Sequence, residues 1–444
     1  MPQISRASRK ELFGWAMFDF ANSSYTTVII TIVFCNIFTS VIVGDGPEFR
    51  LGNSLWTVAL SLGYLLVLLT SPLLGAVMDF TASKKRFLFG SYILTVIATS
   101  ALFFVKPGYI ISGIVLIIIS NVGFSYGEAF VSSFLPGLGP PEDLGKISGY
   151  AWGLGYFGGL ISTGIVFLGF NANDCVIENF ANLRMVGPVI GVFFLIAAIP
   201  TFLWVKERSK PRELPEGENY LSIGIKRLKR TCMEIRDFKD LVILLASFFF
   251  AYAGLSIVIV FAFIYGKQII KWEGNTQIYM FVVTQCTAAG GAFLFGYIQD
   301  RWSAKKTFFL TLILWLITIV LIYGVSDVTS FINNILGTSF KDEHIFLGIG
   351  SFAGLGIGST QSACRAMVGL FSPDTKAGEF FGFWNFSNRL SAIVGLMAVG
   401  ILQAALGLQV AVLICSVFFL IAVIIVVFVN EERGKAAARQ HAGE

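Results

Sequence analysis

The chain has 444 residues, of which 55% are hydrophobic and only 13% charged. Soluble domains carry roughly 25% charged residues, so this composition cannot coat the two or three water-exposed domains that such a length would normally make. A water-soluble globule is excluded, lipid must be part of the solvent, and the net charge of +5 lies mostly in short loops and does not point to nucleic acid.

Residues 1–12 are polar and basic. The apolar stretch that follows has no small-residue cleavage site, so it reads as a retained span and not a signal peptide. Crossing roughly 30 Å of hydrocarbon takes about 20 apolar residues in a helix. On that rule the chain holds twelve spans. The first six are 13–43, 53–78, 87–105, 109–134, 147–170 and 185–205. The last six are 241–265, 276–298, 307–326, 345–371, 378–404 and 408–430. If the N-terminus is cytoplasmic, 24 lysines and arginines fall on the inner side and six in the outer loops, which predicts both termini inside. Arg365 and Arg389 are left over and fall within spans.

Between spans six and seven, residues 206–240 form the longest hydrophilic stretch. Pro211, Pro215 and Gly217 mark a linker, and the basic amphipathic run 223–238 predicts a helix on the inner leaflet, under the bundle, or simply solvated. The linker divides the chain into 1–205, 206–240 and 241–444, two bundles of six helices and a connector. The bundles repeat. Gly75, Asp79, Lys84 and Lys85 match Gly296, Asp300, Lys305 and Lys306 at one offset of 221 residues. Spans four and ten close on Phe134-Leu-Pro136 and Phe371-Ser-Pro373. Such repeats build secondary transporters, with the substrate near the midplane. The expected fold is an all-α integral membrane protein of twelve transmembrane helices in two pseudo-symmetric six-helix bundles.

These repeats resemble the major facilitator superfamily, whose signature is a Gly-x-x-x-Asp-Arg loop between spans two and three, echoed between eight and nine. The second copy holds Asp300-Arg301, whereas the first has Phe80 in the arginine position. Gly75, Asp79, Lys84, Gly296, Asp300 and Arg301 are the candidate gate, with the aspartates facing cations and helix N-termini of the opposite half; the plainer alternative is positive-inside anchoring. Trp15-Ala-Met-Phe-Asp19-Phe-Ala-Asn22-Ser-Ser-Tyr25 is similar to the first-span signature of the vacuole-effluxer (autophagy-related) family within that superfamily. Gln361-Ser-Ala-Cys-Arg365 and Gly378-Glu-Phe-Phe-Gly-Phe-Trp-Asn385 are similar to its tenth and eleventh spans. The resemblance implies a major facilitator fold, a cavity lined by spans one, four, seven and ten, and transport of amino acids or related solutes.

Asp19, Glu128, Arg365 and Arg389 are ionisable groups inside spans, where each charge costs about 2.5–3.5 kcal/mol on insertion scales. Asp19 lies six residues into its span, about 9 Å deep. Glu128 and Arg365 each lie eight residues before the repeated proline. Two readings stay open. One is an interior ion pair, Asp19 or Glu128 with Arg365, that fixes helix register. The other is a carboxylate that titrates beside an arginine that grips a substrate anion, with Glu128 ahead of Asp19 as proton carrier and Arg389 ahead of Arg365 as anion site. Asn22, Tyr25, Tyr126, Trp152, Tyr156, Tyr252, Gln285, Gln361, Trp384, Asn385 and Asn388 are the polar and aromatic neighbours expected around the substrate.

Other motifs fall away. Gly153-Leu-Gly155-Tyr-Phe-Gly158 matches a dinucleotide fingerprint but follows no strand, and Gly155 and Gly159 read better as helix-contact positions. Six scattered cysteines and two histidines offer neither a zinc site nor a disulfide framework. No catalytic residue, metal or cofactor is expected. The expected function is transport of a small polar organic solute by alternating access, coupled to protons. An uncoupled facilitator or a transport-fold sensor is the alternative. The expected partners are the solute, protons and the bilayer, with the protein a monomer in a bacterial inner membrane.

Overall fold

The computed structural model describes residues 6–44, 49–172, 175–208, 211–215, 217–234, 236–273 and 275–441. The N-terminal half contains α1 (Arg9–Val43), α2 (Arg50–Thr81), α3 (Lys84–Phe104), α4 (Ile110–Ser132), α5 (Leu144–Phe170) and α6 (Ile177–Trp204). The linker carries α7 (Tyr220–Met233). The C-terminal half contains α8 (Lys239–Ile270), α9 (Thr276–Arg301), α10 (Ala304–Tyr323), α11 (Val325–Leu336), α12 (Asp342–Phe371), α13 (Ala377–Leu406), α14 (Leu408–Val427) and α15 (Glu431–Gln440).

The twelve expected spans are all present as helices; α6 begins eight residues before its predicted start, at Ile177, and the others lie within about five residues of their predicted bounds. Among the described residues eleven are long and apolar enough to cross a membrane by themselves. The twelfth is α12, 30 residues long. Its Gly-, Ser- and Thr-rich stretch from Gly356 to Phe371 is almost wholly buried against other helices. Protein takes the place of lipid around it, so α12 does not need an apolar surface.

The halves meet along two seams, α5 on α9 and α2 on α13. Small residues make the approach possible. Gly145 and Gly149 of α5 pack against Gly296 and Ala292 of α9, and Gly382 of α13 packs against Ser71 and Pro72 of α2. Gly155 and Gly159 do the expected work, lying against Ser23 of α1 and Thr27 of the same helix. Within the C-terminal half, Gly358 of α12 abuts the Ala288 carbonyl of α9.

Several local features differ from expectation. Helix α1 opens into π-helical turns over Tyr25–Ile32 and Phe38–Val43, a form that composition does not reveal and that clusters at functional sites. The linker helix was expected over 223–238. It starts at Tyr220 because Asn219 and Ser222 form a reciprocal cap, with Ser222 N–H donating to Asn219 Oδ1 at 2.7 Å. It stops at Met233. Two short helices were not foreseen. One is α11, with Phe331, Ile335 and Leu336 exposed. The other is α15, pinned by Arg433, whose Nε and Nη2 donate to Asp240 at 2.5 and 2.9 Å. Residues 6–11, the α2–α3 and α9–α10 turns, α7 and α15 all gather at one end of the bundle, called here the terminal end.

Replacing Gly358 by Leu would drive a side chain into the Ala288 backbone. Overpacking of this kind costs about 1–3 kcal/mol, so Gly358→Leu should lower the midpoint of thermal unfolding in detergent, followed by intrinsic tryptophan fluorescence. An unchanged midpoint would show that the α9–α12 contact is looser than described.

Candidate functional site

The four ionisable groups inside the spans form two pairs, and each pair joins one half to the other. Arg365 of α12 donates from Nη1 to Asp19 Oδ2 of α1 at 2.5 Å. Its Nε and Nη2 donate to the hydroxyl and carbonyl of Ser148 on α5, at 3.1 and 3.0 Å. The guanidinium also faces the rings of Trp15 and Trp152, at 4.7 and 5.2 Å. At 1% exposure, Arg365 is a C-terminal-half residue whose polar contacts are made with the N-terminal half. Arg389 of α13 donates from Nη2 to Glu128 Oε2 of α4 at 2.6 Å and from Nε to Asn385 Oδ1 at 3.2 Å. Tyr64 and Phe124 lie 5.1 and 5.7 Å from it. Asn385 in turn donates to the Ser125 carbonyl at 3.1 Å and to Ser71 Oγ at 3.3 Å.

This settles the open pairing. Arg365 belongs to Asp19. Glu128 belongs to Arg389, because Arg389 lies one turn beyond Asn385, on the α13 face already anchored to α2 and α4. Helix α1 begins at Arg9, so Asp19 lies ten residues, or about 15 Å at 1.5 Å per residue, along it.

Most of the polar neighbours gather near these pairs. Asn22 is one turn beyond Asp19. Tyr156 donates to Gln361 across the halves, and Gln285 Nε2 reaches the Tyr156 carbonyl at 3.5 Å. Tyr252 lies edge-on to Trp384, with ring centroids 6.5 Å apart. Asn22 Oδ1, Asn388 Oδ1, Trp152 Nε1 and Trp384 Nε1 are buried without a hydrogen-bond partner among the described residues. Tyr252 Oη is unpaired here too, and similar atoms occur elsewhere among the described residues; in this region they leave both donors and acceptors open to a polar ligand. Two tyrosines bond inside their own half. Tyr25 bonds Ser120 Oγ at 2.8 Å and stacks on Phe124, which faces Arg389. Tyr126 bonds Thr70 and stacks on Phe130, since two residues along a helix turn it away from Glu128. Trp15, Tyr64 and Ser148 were missed as site residues. None is charged, and although Trp15 and Ser148 lie in stretches similar to the family, that likeness does not say what either side chain touches.

At the terminal end the repeated aspartates each cap a helix of the opposite half. Asp79 Oδ2 accepts from Glu379 N in the first turn of α13 at 3.0 Å. Asp300 accepts from Gly145 N and Lys146 N in the first turn of α5 at 2.7 and 2.8 Å. Orphan N–H groups and the helix dipole favour an anion at both places. A Cβ at Gly75 would strike the Gly378 carbonyl, and one at Gly296 would crowd the Gly145 carbonyl at 2.6 Å. Lys84 Nζ lies 4.0 Å from Asp79 and donates to the Ser133 carbonyl at 3.0 Å. Arg301 is the exception to the expected gate, since its guanidinium stacks on Tyr297 of its own helix at 4.3 Å. The cap needs only the aspartate, so Phe80 in the arginine position does not prevent the first copy from closing.

The basic residues after each aspartate do different work, and here the repeat slips by one residue. Lys85 N donates to Glu207 at 3.0 Å and its Nζ to the Phe202 carbonyl at 2.8 Å. Lys305 N donates to Glu431 at 3.0 Å and its Nζ to the Val427 carbonyl at 2.7 Å. The structural counterpart of Lys305 is therefore Lys85, not Lys84, because one more residue separates Asp79 from its helix start than separates Asp300 from its own. The two glutamates differ in environment. Burial pushes the Glu207 carboxyl above the usual range, against the pull of the Lys85 N–H and of Lys84, and its Oε1 has no partner. Burial acts the same way on Glu431, but Lys435, Ser303 and the Lys305 N–H outweigh it and hold the carboxyl low. A cavity of about 550 Å³ lies beside this second clamp, lined by Asp300, Lys305, Glu431, Lys435 and Arg439 and by none of the interior pairs.

Residues 7–439 match the family model described as vacuole effluxer Atg22 like. The chain is 24% identical to the uncharacterized MFS-type transporter YxiO of Bacillus subtilis, over 97% of both chains. It is 25% identical to autophagy-related protein 22-1 of Emericella nidulans over 59% of this chain and 45% of the fungal protein, so it spans less than half of that relative. Among solved structures it resembles the proton:xylose symporter XylE (TM-score 0.69, 13% identity, 96% of each chain). It also resembles a bacterial homologue of the iron transporter ferroportin in an outward-facing state (TM-score 0.68, 13% identity, 94% of this chain and 98% of that one). At these identities the likeness shows the fold, which is that of the major facilitators.

The clamps can be separated by pH. The lowered carboxyl of Glu431 stabilises the fold above the ordinary glutamate pKa and loses that contribution as pH falls through its own lower value. The raised carboxyl of Glu207 carries a cost at neutral pH that disappears on acidification. Glu431→Gln should therefore lower the unfolding midpoint at neutral pH, with the gap to the parent closing in acid, while Glu207→Gln should match or exceed the parent. Thermal melts of both variants across this pH range would check it; equal losses for the two at neutral pH would contradict it.

Proposed function

Since the chain belongs to the vacuole effluxer Atg22-like family, we propose that it is a secondary transporter that moves a small zwitterionic or anionic solute, an amino acid or related carboxylate, by alternating access coupled to protons. The observation that carries this reading is the pair of carboxylate–guanidinium contacts, Asp19–Arg365 and Glu128–Arg389, each joining the two halves within the spans. They balance in charge, so a zwitterion can exchange with them without leaving net charge behind.

The chemistry follows from competition. A substrate carboxylate that takes Arg389 bidentately leaves Glu128 without its cation in low dielectric, where a carboxyl holds its proton. Binding and proton uptake are thereby linked. Unpaired Trp152 and Trp384 N–H groups can donate to the carboxylate, and the unpaired Asn22 and Asn388 oxygens can accept from an ammonium. With both aspartate caps made and the Gly75–Gly378 and Gly145–Gly296 contacts closed, the terminal end is the shut side. Lysine and arginine asymmetry makes that side cytoplasmic. Rocking apart requires the caps of Asp79 and Asp300 to break.

Uptake of labelled amino acids and organic acids into proteoliposomes, with and without a pH gradient, tests the proposal. Glu128→Gln should retain exchange of substrate but lose its dependence on the gradient. Arg389→Lys keeps the charge but loses the fork and should raise KM at least tenfold, as expected from loss of about 1.5–3 kcal/mol of charged hydrogen bonding. Gradient-driven uptake that survives Glu128→Gln would remove Glu128 from the proton path.

A further inference from the structure

The linker helix does more than connect. Gly224 of α7 packs on Leu73 and Val77 of α2. Leu73 lies eight residues before the end of α2, about 12 Å along the helix, so α7 packs alongside the last turns of α2 and not beyond them. Its other side grips the C-terminal half. Arg227 Nε donates to Glu379 Oε1 at 2.6 Å and Thr231 Oγ1 to Glu379 Oε2 at 2.7 Å. Arg227 Nη2 also donates to the Thr375 carbonyl at 3.1 Å. Glu379 is fully buried, and its own N–H is the one capped by Asp79. One residue thus carries both the gate contact and the linker contact.

Around this junction Arg212, Arg227, Arg230, Lys376, Thr231 and Glu379 line a hollow of about 40 Å³, room for one or two anionic oxygens and not for a whole solute. The charge balance is positive. Glu379 pairs with Arg227, Glu234 with Arg230 and Lys376, and Glu218 with Lys226. Lys229 adds a further exposed cation. Beside these cations Tyr220, Leu221 and Ile225 are exposed apolar side chains on the same helix. A surface helix that combines apolar side chains with lysines and arginines binds anionic lipid.

We infer that α7 is an anionic-phospholipid sensor: headgroup phosphates gathered by its exposed cations hold it on the α2–α13 seam, and through Arg227 and Glu379 they strengthen the Asp79 cap. The inference rests on the alternating-access reading, in which that seam must open. It adds that bilayer charge sets how often the seam opens.

Hydrogen–deuterium exchange on the full chain reads this without any solute crossing. The protein is placed in nanodiscs of phosphatidylcholine alone or with phosphatidylglycerol added. Exchange across residues 375–382 should slow about fivefold with phosphatidylglycerol, the factor expected from one cation's worth of surface attraction. Lys229→Gln, which changes an exposed cation outside those pairs, should reduce that difference while exchanging like the parent in phosphatidylcholine. Arg227→Gln should exchange faster in both lipids. Equal exchange in the two lipids overturns the inference, as does a lipid effect that Lys229→Gln leaves undiminished. An equal slowing over residues 144–150, capped by Asp300, would mean a general lipid effect and would overturn it too. If transport assays fail while these exchange differences hold, the fault lies with the transport reading and not with the sensor.

Discussion

The organisation of this molecule depends on the cost of charge in hydrocarbon. Four ionised groups lie inside the spans, and each is tolerable only with its partner. Because Asp19 and Glu128 are on one half and Arg365 and Arg389 on the other, neither half can be withdrawn without exposing unpaired charge to lipid. The pairs therefore fasten the halves at depth, while the paired small residues of α5–α9 and α2–α13 let the backbones slide or tilt along the seams. A structure fastened in the middle and capped by reversible contacts at one end can rock.

The two ends of the repeat solve one problem with unequal parts. Both aspartates use the same device, a carboxylate on the first turn of a helix from the other half. The reinforcement differs. On the α2–α13 side it comes from the linker, through Arg227 on the buried Glu379. On the α5–α9 side the aspartate is backed by Lys146 at 3.7 Å, on the helix being capped. Arg301 has turned away to Tyr297. Symmetry in sequence therefore does not mean equal strength of closure.

Much of this was legible beforehand. Twelve spans, the repeated aspartates and the four interior charges follow from hydropathy and charge placement, because lipid makes both expensive to violate. What could not be read were the pairings and the register. Arg365 and Arg389 are both arginines within spans, and only helix packing decides which carboxylate each meets. Lys84 and Lys85 follow one another, and a single extra residue in the connector decides which of them plays the part of Lys305. Tyr126 turns away from Glu128 to bond Thr70. Ser148 gives Arg365 two bonds, a contact that only the packing of α5 on α12 decides. The short helices α11 and α15 went unseen because neither is long enough to cross.

The burial of α12 has a consequence for how that helix is held in lipid. This segment carries Arg365 and is dressed in glycine, serine and threonine for contact with other helices. Offered to the bilayer by itself, it would partition poorly, because an arginine six residues inside the end of the segment is costly in hydrocarbon. Asp19, emitted hundreds of residues earlier, is the counter-ion that makes its entry acceptable. The seating of α12 in the bilayer is thus tied to the first bundle, which holds the counter-ion for its arginine.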